Sequence, residues 1–307
     1  MKKILWVSLL ILSAGVIWFL FIKEYDYQFH MTAKYGPGVA YDEIADWKKF
    51  DGPNSKDNIS ITEENPFKGL KQEISAGTEA VLEFNWEFEK ANDSVTDLTL
   101  KVRSRKNQIK NRLAILSPFQ TSELVDSLEN KLIRFKKRLN TVQETYAVKI
   151  LDSLVTSPEL DCICRSSKNV PVDKKAGEMV RTITSLEDYI TTNNLELNGV
   201  PFVKVERWDM DTKKIDFDFC FPVKLEGVEK IDSDYLEFRK IPSFKAIKAI
   251  FNGNYRMSHL AWYDLMHEIE LRELESTGLP LEVFYDNPNM GTPSINWKAE
   301  IFIPVTE

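Results

Sequence analysis

Lys298–Val305 reads KAEIFIPV, and Asp216–Val223, roughly eighty residues earlier, reads DFDFCFPV. Each sets a carboxylate among apolar residues and closes on Pro-Val. The correspondence extends outward. Gly199-Val200-Pro201 stands ahead of the first stretch as Gly278-Leu279-Pro280 stands ahead of the second. Trp208 and Tyr285 fall in corresponding strands, and Asp218 aligns with Glu300. Over residues 147–307 each half reads as strand, helix, Gly-x-Pro turn and two strands. An internal repeat accounts for this pattern. Two copies are too few for a solenoid, so a pseudo-twofold pair around one core is expected.

The helices follow from spacing. Ala176, Met179, Val180, Ile183, Leu186 and Ile190 make an apolar stripe in the first copy. Trp262, Met266, Ile269 and Glu273 follow helical spacing in the second, with Gly278 as a stop signal. In the closing strand Ala299, Ile301 and Ile303 alternate with Lys298, Glu300 and Phe302, so the two sets face opposite ways.

AIFNGNYRMSHLAWYDL, GLPLEVFYDNP and WKAEIFIPV, with VPFVKVERWD and DFDFCFPV in the first copy, resemble the GyrI-like small-molecule-binding domain, also met as the effector-binding domain of AraC-type regulators. The resemblance implies a groove lined by aromatics with an acid at its centre. It points to Glu300 as that acid and to Tyr255, Trp262, Tyr285 and Trp297 as aromatic walls. A carboxylate in an apolar pocket is poorly solvated, and a cationic ligand relieves that cost while the ring faces attract it. The residue pattern by itself leaves two other readings open: Glu300 on a solvated strand face, and Trp262 as core. The implied function is binding of an amphipathic, aromatic or cationic small molecule, without catalysis, and no catalytic residue is assigned. Two alternatives stand beside it. One is a hydrolase using Glu300 as general base with a nearby Tyr; the other is a structural or partner-docking module with a closed groove.

Residues 24–142 read differently. YDYQFHM is strand-like, Val39–Phe50 has helical spacing, and NISITEE and LKQEI suit short strands. AVLEFNWEFEK and DLTLKVRSR alternate around the hairpin loop KANDSVT. Leu124, Leu128, Leu132, Phe135 and Leu139 give a long amphipathic helix with Ser122 as its N-cap. This pattern resembles the START-like (SRPBCC) superfamily and implies an antiparallel sheet gripping a C-terminal helix. The expected fold class is α+β: a START-like helix-grip domain over 24–142, then a duplicated GyrI-like β/α module over 147–307.

Ile4–Ile22 is an uncharged run of 19 residues behind Lys2 and Lys3, with Trp6 and Trp18 near its ends. That length suits a transmembrane anchor over residues 1–23, whereas a signal peptide has a shorter apolar core. The early lysines imply a single-pass topology, N-terminus cytoplasmic and body extracytoplasmic.

The chain has 307 residues and a net charge of −7. A negative balance without a basic stripe excludes a general nucleic-acid binder, so a small molecule and the membrane are the expected partners and no nucleic acid is. Phosphate-binding glycine loops, nucleophile elbows and zinc-helix spacings are lacking, and no cofactor is expected. Cys162, Cys164 and Cys220 read as small buried residues, a Cys162–Cys164 bridge being strained. With no further ligand nearby, no metal site is expected.

Overall fold

The computed structural model describes residues 2–48, 57–76, 79–92, 95–106, 108–116, 123–143, 145–225 and 235–306. The chain divides into two units, Met1–Thr141 and Val142–Glu307.

In the first unit, alternation of apolar and polar residues builds one antiparallel sheet. Its strands are β1 (Tyr27–Ala33), β2 (Asp57–Asn65), β3 (Gly69–Ala76), β4 (Glu79–Asn92) and β5 (Val95–Ser104), in the order β1-β5-β4-β3-β2. Leu82, Phe84, Trp86, Leu98, Leu100 and Val102 are buried on one face, as the pattern requires. The helices are α1 (Lys2–Ile17), α2 (Pro37–Ala45), α3 (Gln108–Leu116) and α4 (Glu123–Gln143). α2 ends earlier than its spacing suggests, and α3 has no counterpart among the sequence expectations. Phe135 of α4 stacks on Trp47 at 4.5 Å between ring centroids and lies 6.0 Å from Trp86. The Trp86 indole donates to Gln72, whose amide donates to the Ile44 carbonyl, so the buried polar atoms of this aromatic core are satisfied. Ser122, the expected N-cap of α4, lies outside the described residues.

The membrane-spanning helix expected over residues 1–23 is not formed. α1 has 16 residues, about 24 Å at 1.5 Å per residue, against a hydrocarbon core of about 30 Å. From Trp18 to Ile22 the backbone widens into a π-helical turn. Among the described residues no helix is long and apolar enough to cross a membrane. The physical reason lies at the end of the apolar run. Arg112 on α3 donates to the carbonyls of Phe19, Leu20 and Lys23 and pairs with Asp26 at 2.5 Å, both side chains being buried. Ser104 N–H also donates to Asp26. The run therefore ends on a buried charge pair instead of continuing as one straight helix, and the membrane partner that rested on it is not retained.

The second unit carries a ten-stranded antiparallel sheet. Its strands are β6 (Tyr146–Ile150), β7 (Val155–Thr156), β8 (Leu160–Pro171), β9 (Phe202–Asp209), β10 (Lys214–Pro222), β11 (Glu237–Ile241), β12 (Lys245–Gly253), β13 (Glu275–Ser276), β14 (Leu281–Phe284) and β15 (Lys298–Thr306). The main path is β11-β8-β10-β9-β14-β15-β12-β6. α5 (Lys175–Thr192) and α6 (Leu260–Leu271) pack on it. At the centre β9 pairs with β14 in a symmetric register: Phe202 with Val283, Val203 with Glu282, Lys204 with Leu281.

α6 ends before Gly278. Glu273 takes a left-handed conformation (φ 54°), and Leu274 N–H donates to the Ile269 carbonyl, a Schellman-type stop. Gly278, at φ 70°, instead turns the chain into β14, where a Cβ is strained. The cysteines also depart from expectation: Cys164 and Cys220, directly opposite on β8 and β10, form a disulfide, and Cys162 is a free buried thiol.

Candidate functional site

The apolar stripe of α5 serves two surfaces. Met179, Leu186 and Ile190 are buried against the sheet, whereas Val180 is 71% exposed. Ala176, Gly177, Met179, Val180 and Ile183 line a cavity of about 410 Å³. The opposite wall is aromatic: Phe219, Tyr255, Phe284 and Trp297, with Arg256 and Asp286 as charged lining. A size of several hundred Å³, mostly apolar with few polar groups, is typical of a small-molecule site.

The rings are held by backbone groups. The Tyr255 hydroxyl donates to the Lys298 carbonyl at 2.8 Å and accepts from Asp286 N–H at 3.0 Å. Burial, with the nearby Asp286 charge, pushes this phenol up to about 12, so it stays neutral. Its ring lies 4.8 Å from Phe284 and 5.5 Å from Trp297. The Trp297 indole is fixed by Thr292, donating to its carbonyl at 3.0 Å.

Behind this wall is a buried charge cluster. Glu282, on the same strand face as Phe284, is fully buried and accepts from the Trp262 indole at 2.6 Å. It pairs with the ammonium of Lys175, the first residue of α5, which also donates to Ser258 at 2.9 Å. That ammonium lies 4.7 Å from the centre of the Trp262 ring. Burial pulls the Lys175 pKa down, and Glu282 opposes the shift. His259 is neutral in the same setting: burial, then the Lys175 charge, hold it at about 3.

The five residues expected at the site are not brought together. Tyr255 and Trp297 line the cavity. Trp262 lies beneath it, fully buried in the cluster of Lys175 and Glu282. Glu300 and Tyr285 are elsewhere. β15 sets Glu300 opposite Val283 and Ile301 opposite Glu282, so Glu300 shares the sheet face of Val283, the reverse of the face carrying Glu282 and Phe284. There it bonds to Lys248 at 2.8 Å, Lys298 at 2.7 Å and the Tyr285 hydroxyl at 2.9 Å.

Partial burial alone raises the Glu300 pKa, but these three donors outweigh it and hold the carboxyl at about 2. A group depressed in this way stabilises the fold above its ordinary value of 4.5 and ceases to do so as pH falls to about 2. Glu300→Gln is expected to cost about 1–2 kcal/mol at neutral pH, the partly exposed setting reducing the effect. It should also flatten the acid limb of the second unit's stability in thermal melts across that window. An unchanged acid limb would contradict the assignment.

Sequence reasoning missed Lys175, Glu282 and Phe284. One signal was available for Glu282: it is the lone charge in the otherwise apolar PLEVF, residues 280–284.

Distant similarities in shape accompany this geometry. The C-terminal domain of EcmrR is 22% identical, with a TM-score of 0.44, covering 53% of this chain and 98% of that one. EcmrR in complex with DNA is 18% identical, TM-score 0.44, covering 71% and 88%. That structure holds EcmrR bound to DNA. SAV2435 bound to tetraphenylphosphonium is 16% identical, TM-score 0.37, covering 52% and 94%. No curated protein matches the chain. Residues 169–306, within the second unit, match the family described as the GyrI-like small molecule binding domain.

Proposed function

We propose that the second unit binds an amphipathic small molecule with an aromatic body in the cavity between α5 and the wall of Tyr255, Phe284 and Trp297. The observation that carries this reading is the cavity itself: about 410 Å³, apolar, and not filled by the protein's own side chains. Cationic members of the class are favoured by the ring faces of Tyr255 and Trp297 and by the carboxylate of Asp286. Glu300 has no part in it. The hydrolytic alternative needs a carboxylate able to take a proton beside the ligand, and Glu300, held at about 2 on the reverse sheet face, does not suit that role. The closed-groove alternative is disfavoured by the same open volume.

The duplicated module belongs to this reading. If Phe202, Val203 and Lys204 are the counterparts of Leu281, Glu282 and Val283, then the counterparts of each β9–β14 pair are themselves paired, Phe202–Val283 mapping onto Leu281–Lys204, as a pseudo-twofold axis requires. For the first unit we infer a START-like grip, supported by the five-stranded antiparallel sheet and by Phe135 of α4 stacking on Trp47. Trp47, Phe84, Trp86 and Phe135 occupy the space between sheet and helix, so the ligand site is assigned to the second unit.

Calorimetric titration of the full chain with tetraphenylphosphonium tests the proposal. Val180→Lys places a positive charge on the cavity lip at an exposed position and leaves the core intact. It is expected to weaken binding by about tenfold, from about 1.4 kcal/mol of lost apolar contact and added desolvation. Equal affinity in wild type and Val180→Lys would place the ligand elsewhere.

A further inference from the structure

On the sheet face that carries Glu300, away from the α5 cavity, three cysteines converge. Cys162 and Cys164 are two apart on β8 and share one face, and Cys220 on β10 is directly opposite Cys164. The Cys162 and Cys164 sulfurs are 3.4 Å apart, and all three lie within 4.8 Å of one another. All are buried, in a cluster with Phe202, Leu281, Val283 and Phe302. Three sulfurs around one centre at about 2.3 Å stand about 3.5–4 Å apart. The existing spacing meets that requirement once the Cys164–Cys220 bond opens. The sequence suggested no metal site because no further ligands stand close in the chain, but strand register supplies the third.

Charge decides which ion suits the site. Three thiolates leave a net charge of −2 around a monovalent cation, −1 around a divalent one and zero around a trivalent centre. A buried uncompensated charge is costly. Nearby Arg239 is already paired with Asp218, so it does not offset a further charge.

We propose that Cys162, Cys164 and Cys220, once the disulfide is reduced, form a three-sulfur site for a trivalent thiophilic metalloid of the arsenite or antimonite class. The opening step takes two electrons from a dithiol: the Cys164–Cys220 bond breaks, both cysteines gain a proton, and the dithiol becomes a disulfide. Binding then exchanges ligands without redox change. Arsenous acid, As(OH)3, and three thiols give As(S-Cys)3 and three waters, each thiol proton leaving on a hydroxide. The product is neutral, which the apolar surroundings require. The disulfide form offers one thiol and does not bind, so the site answers to the redox state of its own ligands.

The test uses the full chain, reduced with a phosphine that is then removed without air, and sodium arsenite as probe. Native mass spectrometry is expected to show one arsenic less three hydrogens gained per reduced chain, and no gain in the oxidised chain. Cys162→Ser leaves two thiols and should bind at least about 100-fold more weakly, the upper end of what losing a supporting group costs. Cys162→Ala, apolar and smaller, gives the same comparison if the serine is poorly tolerated. Failure of the reduced wild type to take up arsenic would overturn the proposal. So would equal uptake by the Cys162 variants, or displacement of bound arsenic by equimolar Zn(II) or Cu(I). Because the α5 cavity lies on the other sheet face, tetraphenylphosphonium titration of the same sample reads the binding proposal separately.

Discussion

Lys175→Met should destabilise the second unit by about 3–5 kcal/mol, the scale for removing one partner of a buried ion pair. The substitution keeps a similar volume but leaves Glu282 fully buried with the Trp262 indole as its remaining side-chain donor. It also strips the ammonium from the Trp262 ring. Most of the loss should return in Lys175→Met/Glu282→Gln, because the neutral amide still accepts from Trp262 and no charge is stranded. The measurement is urea unfolding of the full chain, read on the transition of the second unit, as a double-mutant cycle. A single-variant cost below about 1 kcal/mol, the scale of an exposed pair, would show that Lys175 and Glu282 are not the buried pair described here.

Arg112→Met should cost the first unit a similar amount, about 3–5 kcal/mol. Arg112 is the partner of Asp26 and the donor to three carbonyls at the end of the N-terminal helical segment. Losing it strands a buried carboxylate held by one backbone N–H, from Ser104. Hydrogen exchange should also quicken at Lys23, whose N–H bonds to Trp18 across the π turn. Unfolding and exchange that match wild type would mean that the apolar run is not held by this residue.

The strands and turns of residues 147–307 were legible because they are written in side chains that act locally. Gly278 requires a left-handed turn wherever the strand goes, and Ala299, Ile301 and Ile303 alternate whatever they pair with. The placement of Glu300 was not legible. Which sheet face Glu300 and Glu282 take depends on how β14 pairs with β15, and a shift of one residue exchanges the two faces. Lys175 looks like an ordinary solvated lysine in DKKAGEM, and its burial is set by packing on Trp262. The α5 stripe reads as one apolar face in the sequence, yet Val180 and Ile183 line the cavity. The Cys164–Cys220 pairing likewise depends on β8–β10 register. At the N-terminus hydropathy gave the wrong answer because it counts apolar residues and takes no account of Arg112, 90 residues after Ile22, that binds the end of the run.

The most direct test of the account is where the ligand's affinity resides. Tetraphenylphosphonium is titrated into the full chain as wild type, Trp297→Ala and Glu300→Gln. The cavity assignment predicts that Trp297→Ala weakens binding by roughly tenfold or more, through lost ring contact worth about 1–2 kcal/mol. It predicts that Glu300→Gln, on the reverse face, binds as wild type does. The opposite outcome, with Glu300→Gln losing affinity and Trp297→Ala keeping it, would contradict the central claim and return the site to Glu300.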